Sequence, residues 1–130
     1  MKTVYIADDG KQFDNEYDCE SYELEKKMKN IIILTSDEEI ISSLERAELA
    51  DIIIAPTKDG VENACDIMRY YGIYTRGLEQ GINFYNESKG GWVSFDEIHT
   101  DTIGKLKAIE AIGEKCKQLA KNLLNIDITV

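Results

Sequence analysis

Two continuous apolar runs constrain the fold of this chain more than any other feature of its sequence. Residues 31–35 read Ile-Ile-Ile-Leu-Thr, and residues 51–55 read Asp-Ile-Ile-Ile-Ala. A strand with one face in water alternates apolar and polar residues, whereas these runs do not, so both predict strands that are buried on both faces. Helical patterns surround them, and 130 residues are enough to build a core. We therefore predict one α/β domain over residues 1–130, with the α+β class as the alternative.

An Asp-Gly pair near the amino terminus predicts a β-hairpin followed by an acidic helix. Asp9 and Gly10 separate two strand-like segments, and the central residues of such a turn must tolerate a positive φ. The helix should begin near Asp14 or Asn15, because these are good capping residues and acidic side chains follow in the first turn. Its inner face should carry the residues that recur at helical spacing, which are Tyr17, Ser21, Leu24 and Met28.

Two more helices are predicted beside the buried strands. Ser36 with Glu39 forms a capping-box pattern, which predicts a helix that carries Ile40, Ile41 and Leu44. A turn over residues 56–60 and the pair Asp59 and Glu62 predict another helix, which ends at Gly72.

An aromatic hairpin and a long helix complete the predicted fold. Residues 82–86 and 92–95 are strand-like and flank a Gly-containing loop. After them, apolar residues recur every three or four positions from Ile103 to Leu123. This stripe would extend about 30 Å along a helix, which is more than one small sheet needs. We therefore expect a homo-oligomer, in the simplest case a dimer, that pairs through the C-terminal helix.

The charge of the chain is strongly acidic and concentrated in its first part. The formal net charge is −10, and residues 1–50 contain 13 acidic and 6 basic side chains. Binding to a nucleic-acid backbone requires Lys and Arg, so we expect no direct contact with nucleic acid. The same charge suits a protein partner with a basic groove, with solubility as the simpler explanation.

Patterns for membrane insertion, disulfides, metals and catalysis are missing from the sequence. No apolar run approaches the roughly 18 residues that span a bilayer, and the three separated cysteines indicate free thiols in the reducing cytoplasm. The single histidine, His99, has no ligand partners at suitable spacing, and no phosphate-binding glycine loop is present. We therefore predict that the chain is not an enzyme and has no metal, cofactor or membrane partner.

One segment does carry side chains that suit a ligand. Aromatic, Arg and Asn side chains lie close together in the sequence between residues 69 and 92, and they could stack on a purine and hold its phosphates. Thr57 and Lys58 would join this site if the sheet were parallel. The alternative is an aromatic hairpin that simply packs on the long helix. The candidate ligand-binding residues are Arg69, Tyr71, Arg76, Asn83, Phe84, Asn86 and Trp92.

The opening of the chain resembles the start of many small phage and prophage proteins. The resemblance covers about the first 25 residues, with the Asp-Gly hairpin of residues 5–14, Cys19 and the Tyr22-Glu23 pair. The overall layout is also similar to the Thoeris anti-defence sponges, which are phage proteins that sequester cyclic ADP-ribose-type signals. That resemblance implies a base stacked on aromatic rings and phosphates held by arginine. The corresponding residues here would be Phe84, Trp92 and Arg76.

Three functions follow as hypotheses. The first is a non-enzymatic phage counter-defence protein in the bacterial cytoplasm that sequesters a small signalling nucleotide, of the cyclic ADP-ribose or cyclic dinucleotide type. The second is an acidic, anti-CRISPR-like inhibitor that docks on a nucleic-acid-binding host protein. The third is an accessory scaffold without a ligand.

Overall fold

The computed structural model describes residues 3–86, 90–95, 97 and 106–128, with side chains from residue 110 onwards in the last range. The strands are β1 (Tyr5–Ile6), β2 (Gln12–Phe13), β3 (Ile32–Leu34), β4 (Ile52–Ala55), β5 (Gly81–Asn86) and β6 (Gly91–Ser94). The helices are α1 (Glu16–Lys27), α2 (Lys58–Tyr70) and α3 (Leu106–Leu124), with 3₁₀ turns at Met28–Asn30 and Leu44–Leu49.

A four-stranded sheet in the order β3-β4-β5-β6 forms the centre of the fold, and every neighbouring pair is antiparallel. All residues of β3 and β4 are buried. Helices α1 and α2 pack on one face of the sheet, and α3 packs on the other. The predicted strands with two buried faces are therefore confirmed, as is the α/β or α+β class. Because the sheet is antiparallel, Thr57 and Lys58 do not join a carboxyl edge of parallel strands.

The alternation of side chains along β5 assigns neighbouring residues to opposite layers. Asn83 pairs with Ile53, and Tyr85 pairs with Trp92, on the face covered by α1 and α2. Phe84 lies between them in sequence and points to the α3 side, where it packs against the second core cluster.

The helix predicted from the Ser36–Glu39 pattern does not form. The Thr35 N–H donates to the Glu39 carbonyl at 2.9 Å, so the chain reverses direction after β3. Ile40 then bridges Leu34 in antiparallel register, and the Ile41 N–H donates to the Ile33 carbonyl at 2.8 Å. The prediction was wrong because Ser, Asp and Glu favour turns as well as helix starts, and the two isoleucines satisfy the open edge of β3.

The predicted capping residue is correct for α1 but not for α2. Asn15 caps α1, and its side chain accepts from the Asp18 N–H at 2.7 Å, as expected. Helix α2 begins earlier than predicted, because Thr57 rather than Asp59 is its cap and accepts from the Gly60 N–H at 3.0 Å.

The outer edge of β6 is covered by the loop that follows α2. The Trp92 N–H donates to the Arg76 carbonyl at 2.7 Å, and Gly77 and Gly91 lie where the two backbones touch. Gly77 has a φ of 87°. Since the turn after β3 covers the opposite edge, both ends of the sheet are protected from pairing with another chain.

The described part of α3 is buried against the chain's own sheet. Cys116 and Ala120 are fully buried in the second core cluster, and Ile112 and Leu119 pack beside them. Leu123 is exposed. Ile103 and the side chains of residues 106–109 lie outside the described residues.

Candidate functional site

Trp92 is a core residue in this structure. It is buried, its indole N–H donates to the Tyr74 carbonyl at 2.8 Å, and its ring meets Tyr85 edge-on at 5.1 Å. These contacts hold the loop before β5 against β6, so the ring does not present a stacking face at the surface.

Asn83 is fully buried, and its amide is bonded to the backbone around it. Its Nδ2 donates to the carbonyls of Glu79 at 2.8 Å and of Ile53 and Gly81 at 3.3 Å. Its Oδ1 accepts from the Glu79 N–H at 3.0 Å. The amide therefore ties the loop to the sheet instead of facing a ligand.

The remaining candidates are dispersed. Phe84 lies on the other face of the sheet, with its ring 6.3 Å from that of Phe95. Asn86 is half-buried at the end of β5. The Tyr71 hydroxyl donates to the Leu44 carbonyl at 2.5 Å, and the exposed Arg69 guanidinium lies 3.6 Å from Asp66. The structure does not bring the seven predicted residues to one surface.

Arg76 is exposed like Arg69, but it differs from Arg69 in its ion pairing. Its carbonyl is bound to β6, yet no carboxylate of the described residues forms an ion pair with its guanidinium. Tyr74, two residues before it, is 64% exposed. Tyr74 and Arg76 therefore offer to solvent an aromatic ring and an arginine without an ion-pair partner among the described residues.

An acidic exposed surface lies at the start of α1. We call it the acidic end of α1, and it consists of Glu16, Tyr17, Asp18 and Glu20, all of which are exposed. Across the part of the chain that the structure describes, none of its three carboxylates pairs with a cation.

Tyr17 was predicted to lie on the inner face of the helix, and that prediction was wrong, since the side chain is 63% exposed. Helical spacing alone placed it in line with Leu24, which is buried. No signal in the sequence distinguishes a first-turn tyrosine that faces solvent from one that packs inward.

The basic residues of α1 form ion pairs with neighbouring elements of the fold. Lys26 pairs with Asp9 at 2.7 Å, and Lys27 pairs with Asp66 at 2.7 Å. The positive charges of this helix are thus balanced locally, whereas the negative charges at its start remain directed outward.

The N-terminal hairpin fixes the position of α1. Asp9 accepts from the Tyr22 hydroxyl at 2.5 Å and from Lys26 Nζ at 2.7 Å, and the Phe13 ring lies 5.2 Å from that of Tyr22. The Asp8 N–H also donates to Glu23 Oε1 at 2.9 Å. These contacts therefore hold the hairpin against α1 and fix the position of the helix.

Acidification should weaken the contacts between the hairpin and α1 that depend on the Asp9 carboxylate. The hydrogen bond from Lys26, assisted by that from Tyr22, lowers the pKa of Asp9 well below its usual value of 3.8. The stabilising contribution of the carboxylate is therefore complete above about pH 5 and is lost progressively as the pH falls through and below 3.8. We expect the Ala7 amide to exchange faster in Asp9→Asn than in the wild type at pH 6, as measured by NMR hydrogen exchange. The difference should shrink at pH 3; equal exchange rates at pH 6 would contradict this role.

A groove lies between the turn after β3 and the segment that leads into β4. Its volume is about 540 Å³, which is in the range of ligand-binding clefts. It was not predicted, because residues 36–44 were assigned to a helix. The groove is lined by Thr35, Ser36, Asp37, Glu39, Arg46, Glu48, Leu49, Ala50, Asp51, Ile73 and Tyr85.

Among the described residues, no group of three or more His, Cys, Asp or Glu side chains is placed to hold a metal ion. His99 lies outside those residues. Burial raises the pKa of the Cys116 thiol to about 12, so this cysteine is not a reactive thiolate.

No helix within the described ranges combines the length and hydrophobicity that crossing a bilayer demands. Comparison of the chain with protein-family models, with curated proteins and with solved structures finds no match.

Proposed function

We propose that this chain is a non-enzymatic binding protein that places the acidic end of α1 on a basic surface of a nucleic-acid-binding protein. The observation that carries the proposal is a set of three exposed carboxylates around an exposed tyrosine, none of which pairs with a cation among the described residues. The resemblance of the amino terminus to phage proteins supports action as an inhibitor inside a bacterial host cell.

The physical basis is electrostatic competition. A protein that binds nucleic acid presents Lys and Arg side chains in a groove, and exposed carboxylates can occupy the same positions as phosphates. The net charge of −10 would accelerate the encounter at low salt, since opposite charges steer association. Tyr17 supplies the kind of aromatic anchor that often dominates the binding energy of an interface.

The test is capture of nucleic-acid-binding proteins from nuclease-treated bacterial lysate at low salt. Wild-type protein is compared with Glu16→Gln/Glu20→Gln and with Tyr17→Ala. A matched control, Glu79→Gln/Glu114→Gln, removes the same charge from exposed positions outside α1. The proposal expects captured partners that a DNA duplex displaces, reduced capture by both α1 variants, and normal capture by the control. Capture of no nucleic-acid-binding protein, or equal loss in the control, would refute it.

Sequestration of a small signalling nucleotide is the second candidate function. It is supported by Arg76, which has no ion-pair partner among the described residues, and by the exposed Tyr74 ring nearby. A purified sample mixed with cyclic ADP-ribose isomers and cyclic dinucleotides should show a thermal shift if this function is present. A panel without any shift would remove this candidate and leave the acidic inhibitor or a ligand-free scaffold.

Arg76→Ala separates a ligand contact from a structural residue. The hydrogen bond between the Arg76 carbonyl and β6 survives this substitution, and the guanidinium is exposed. We therefore expect the free energy of unfolding to change by less than about 0.5 kcal/mol, while any nucleotide binding weakens about tenfold. Chemical denaturation and titration of the responding nucleotide measure the two effects. A variant that is stable and binds the nucleotide normally would exclude Arg76 from the site.

We also propose a homo-oligomer that pairs through α3. Its exposed apolar residue in the described part of the helix is Leu123, since the neighbouring stripe packs on the sheet. Sedimentation at high micromolar concentration should show a dimer that Leu123→Ser weakens. A wild-type monomer at that concentration would exclude it.

A further inference from the structure

The groove between the turn after β3 and the segment leading into β4 is acidic. Four of its lining residues carry carboxylates, and Arg46 is its basic residue. Within the described ranges, no ion pair neutralises any of these four carboxylates. A phosphate-bearing ligand would be repelled here, whereas a cationic group would be attracted. The four carboxylates belong to Asp37, Glu39, Glu48 and Asp51.

The groove also contains apolar surface next to the charges. Leu49 is 53% exposed at its rim, and the half-buried Ile73 and Tyr85 line its interior. A free metal ion or a polyamine would gain nothing from this surface. A polypeptide that carries Lys or Arg beside an apolar side chain would use both features.

The groove and the acidic end of α1 approach the same tyrosine. Burial raises the pKa of Tyr71, and the proximity of Tyr70, Tyr17, Glu48 and Glu45 raises it further. Glu48 lines the groove, and Tyr17 belongs to the acidic end of α1. The 3₁₀ turn that carries Glu48 also contacts α1, so the groove and the acidic end of α1 belong to neighbouring elements of the fold.

We propose that this groove binds a segment of the partner protein in which one or two Lys or Arg residues flank an apolar side chain. The basic side chains face the four carboxylates, and the apolar side chain packs on Leu49. The inference rests on the proposed function only for the class of partner, since it concerns a different part of the surface.

The test uses a fluorescein-labelled decapeptide that contains two arginines, one on each side of a central leucine. Its binding at low salt is followed by fluorescence anisotropy, and ¹⁵N chemical-shift changes locate it on the protein. Two control peptides replace the leucine with serine or the arginines with glutamine. Spermine is the competitor that represents a flexible polycation without a branched apolar side chain.

Two substitutions should act in opposite directions. Leu49→Ser should weaken binding about fivefold, because it removes the apolar contact, and it should have no effect on the serine peptide. Arg46→Gln should strengthen binding about two- to threefold, since it removes the positive charge that competes with the peptide. Lys117→Gln, an equal change of charge on the exposed side of α3, should leave the affinity unchanged.

The outcomes are distinguishable. The proposal is supported if the peptide changes the ¹⁵N chemical shifts of residues 35–39 and 46–51. It also requires that Leu49→Ser weakens peptide binding while Arg46→Gln strengthens it. Three results would overturn it. The first is equal affinity for the leucine and serine peptides, and the second is weaker peptide binding in Arg46→Gln. The third is displacement of the labelled peptide by spermine at the same concentration as by unlabelled peptide. In any of these cases, capture of partners through the acidic end of α1 would still stand, because that experiment uses different variants.

Discussion

Gly77→Ala should destabilise the protein by about 2–5 kcal/mol. Gly77 has a φ of 87°, a conformation that costs an ordinary L-residue about 1–2 kcal/mol. In addition, a Cβ at this position would overlap the Trp92 carbonyl oxygen, which belongs to the backbone of β6 and cannot move aside alone. The loop would have to separate from the strand, with loss of the hydrogen bond between Trp92 and Arg76 and further packing, for another 1–3 kcal/mol or so.

Gly10→Ala is the matched control for this prediction. Gly10 has a similar φ of 91°, but a Cβ there would meet nothing within 4 Å. Urea denaturation should therefore show a loss of only about 1–2 kcal/mol for Gly10→Ala. Gly77→Ala should also scatter more light on heating, since the freed edge of β6 can pair with other chains. Equal destabilisation by the two substitutions would mean that the loop does not protect this edge.

Sequence patterns correctly predicted the parts of the fold that are determined by residues close together in the sequence. The two buried strands follow from unbroken β-branched runs, and the cap at Asn15 follows from its own side chain. The turn over residues 36–41 could not be predicted in this way. Its Ser, Asp and Glu residues suit a helix start equally well, and the pairing of Ile40 with Leu34 decides the outcome. That pairing exists only once the sheet has formed.

The residues of a ligand site were likewise difficult to predict where their positions depend on contacts between distant parts of the sequence. Aromatic and amide residues close together in sequence indicated a ligand pocket, but period-two alternation sends Phe84 to the opposite face from Trp92. The groove was missed for the complementary reason, because its walls come from segments on both sides of β4 and their approach depends on the antiparallel order. The exposure of the acidic side chains at the start of α1 depends less on long-range contacts, since charged side chains remain at the surface whatever the sheet topology.

Asn83→Ala should destabilise the protein by about 2–4 kcal/mol. The substitution removes an amide that is fully buried and leaves the backbone N–H and carbonyl of Glu79 without that partner. Each buried polar group without a partner costs about 1–3 kcal/mol, and the lost side-chain volume leaves a small cavity. Gln80→Ala is the control, because the exposed Gln80 side chain bonds the same loop to the Pro56 carbonyl at 2.9 Å. It should cost no more than about 1 kcal/mol.

Asn83→Asp tests the direction of the hydrogen bonds and not only their presence. At this position a carboxylate would face three backbone carbonyls, so its pKa should rise above the unfolded value of about 3.9. A raised folded pKa means that the variant loses stability, relative to the wild type at the same pH, as the pH rises above about 4. Denaturation midpoints at pH 4 and pH 7 should therefore differ more for the variant than for the wild type. If Asn83→Ala stays within about 0.5 kcal/mol of the wild type and Asn83→Asp shows no pH dependence, the amide is free to serve a ligand, as the sequence first indicated.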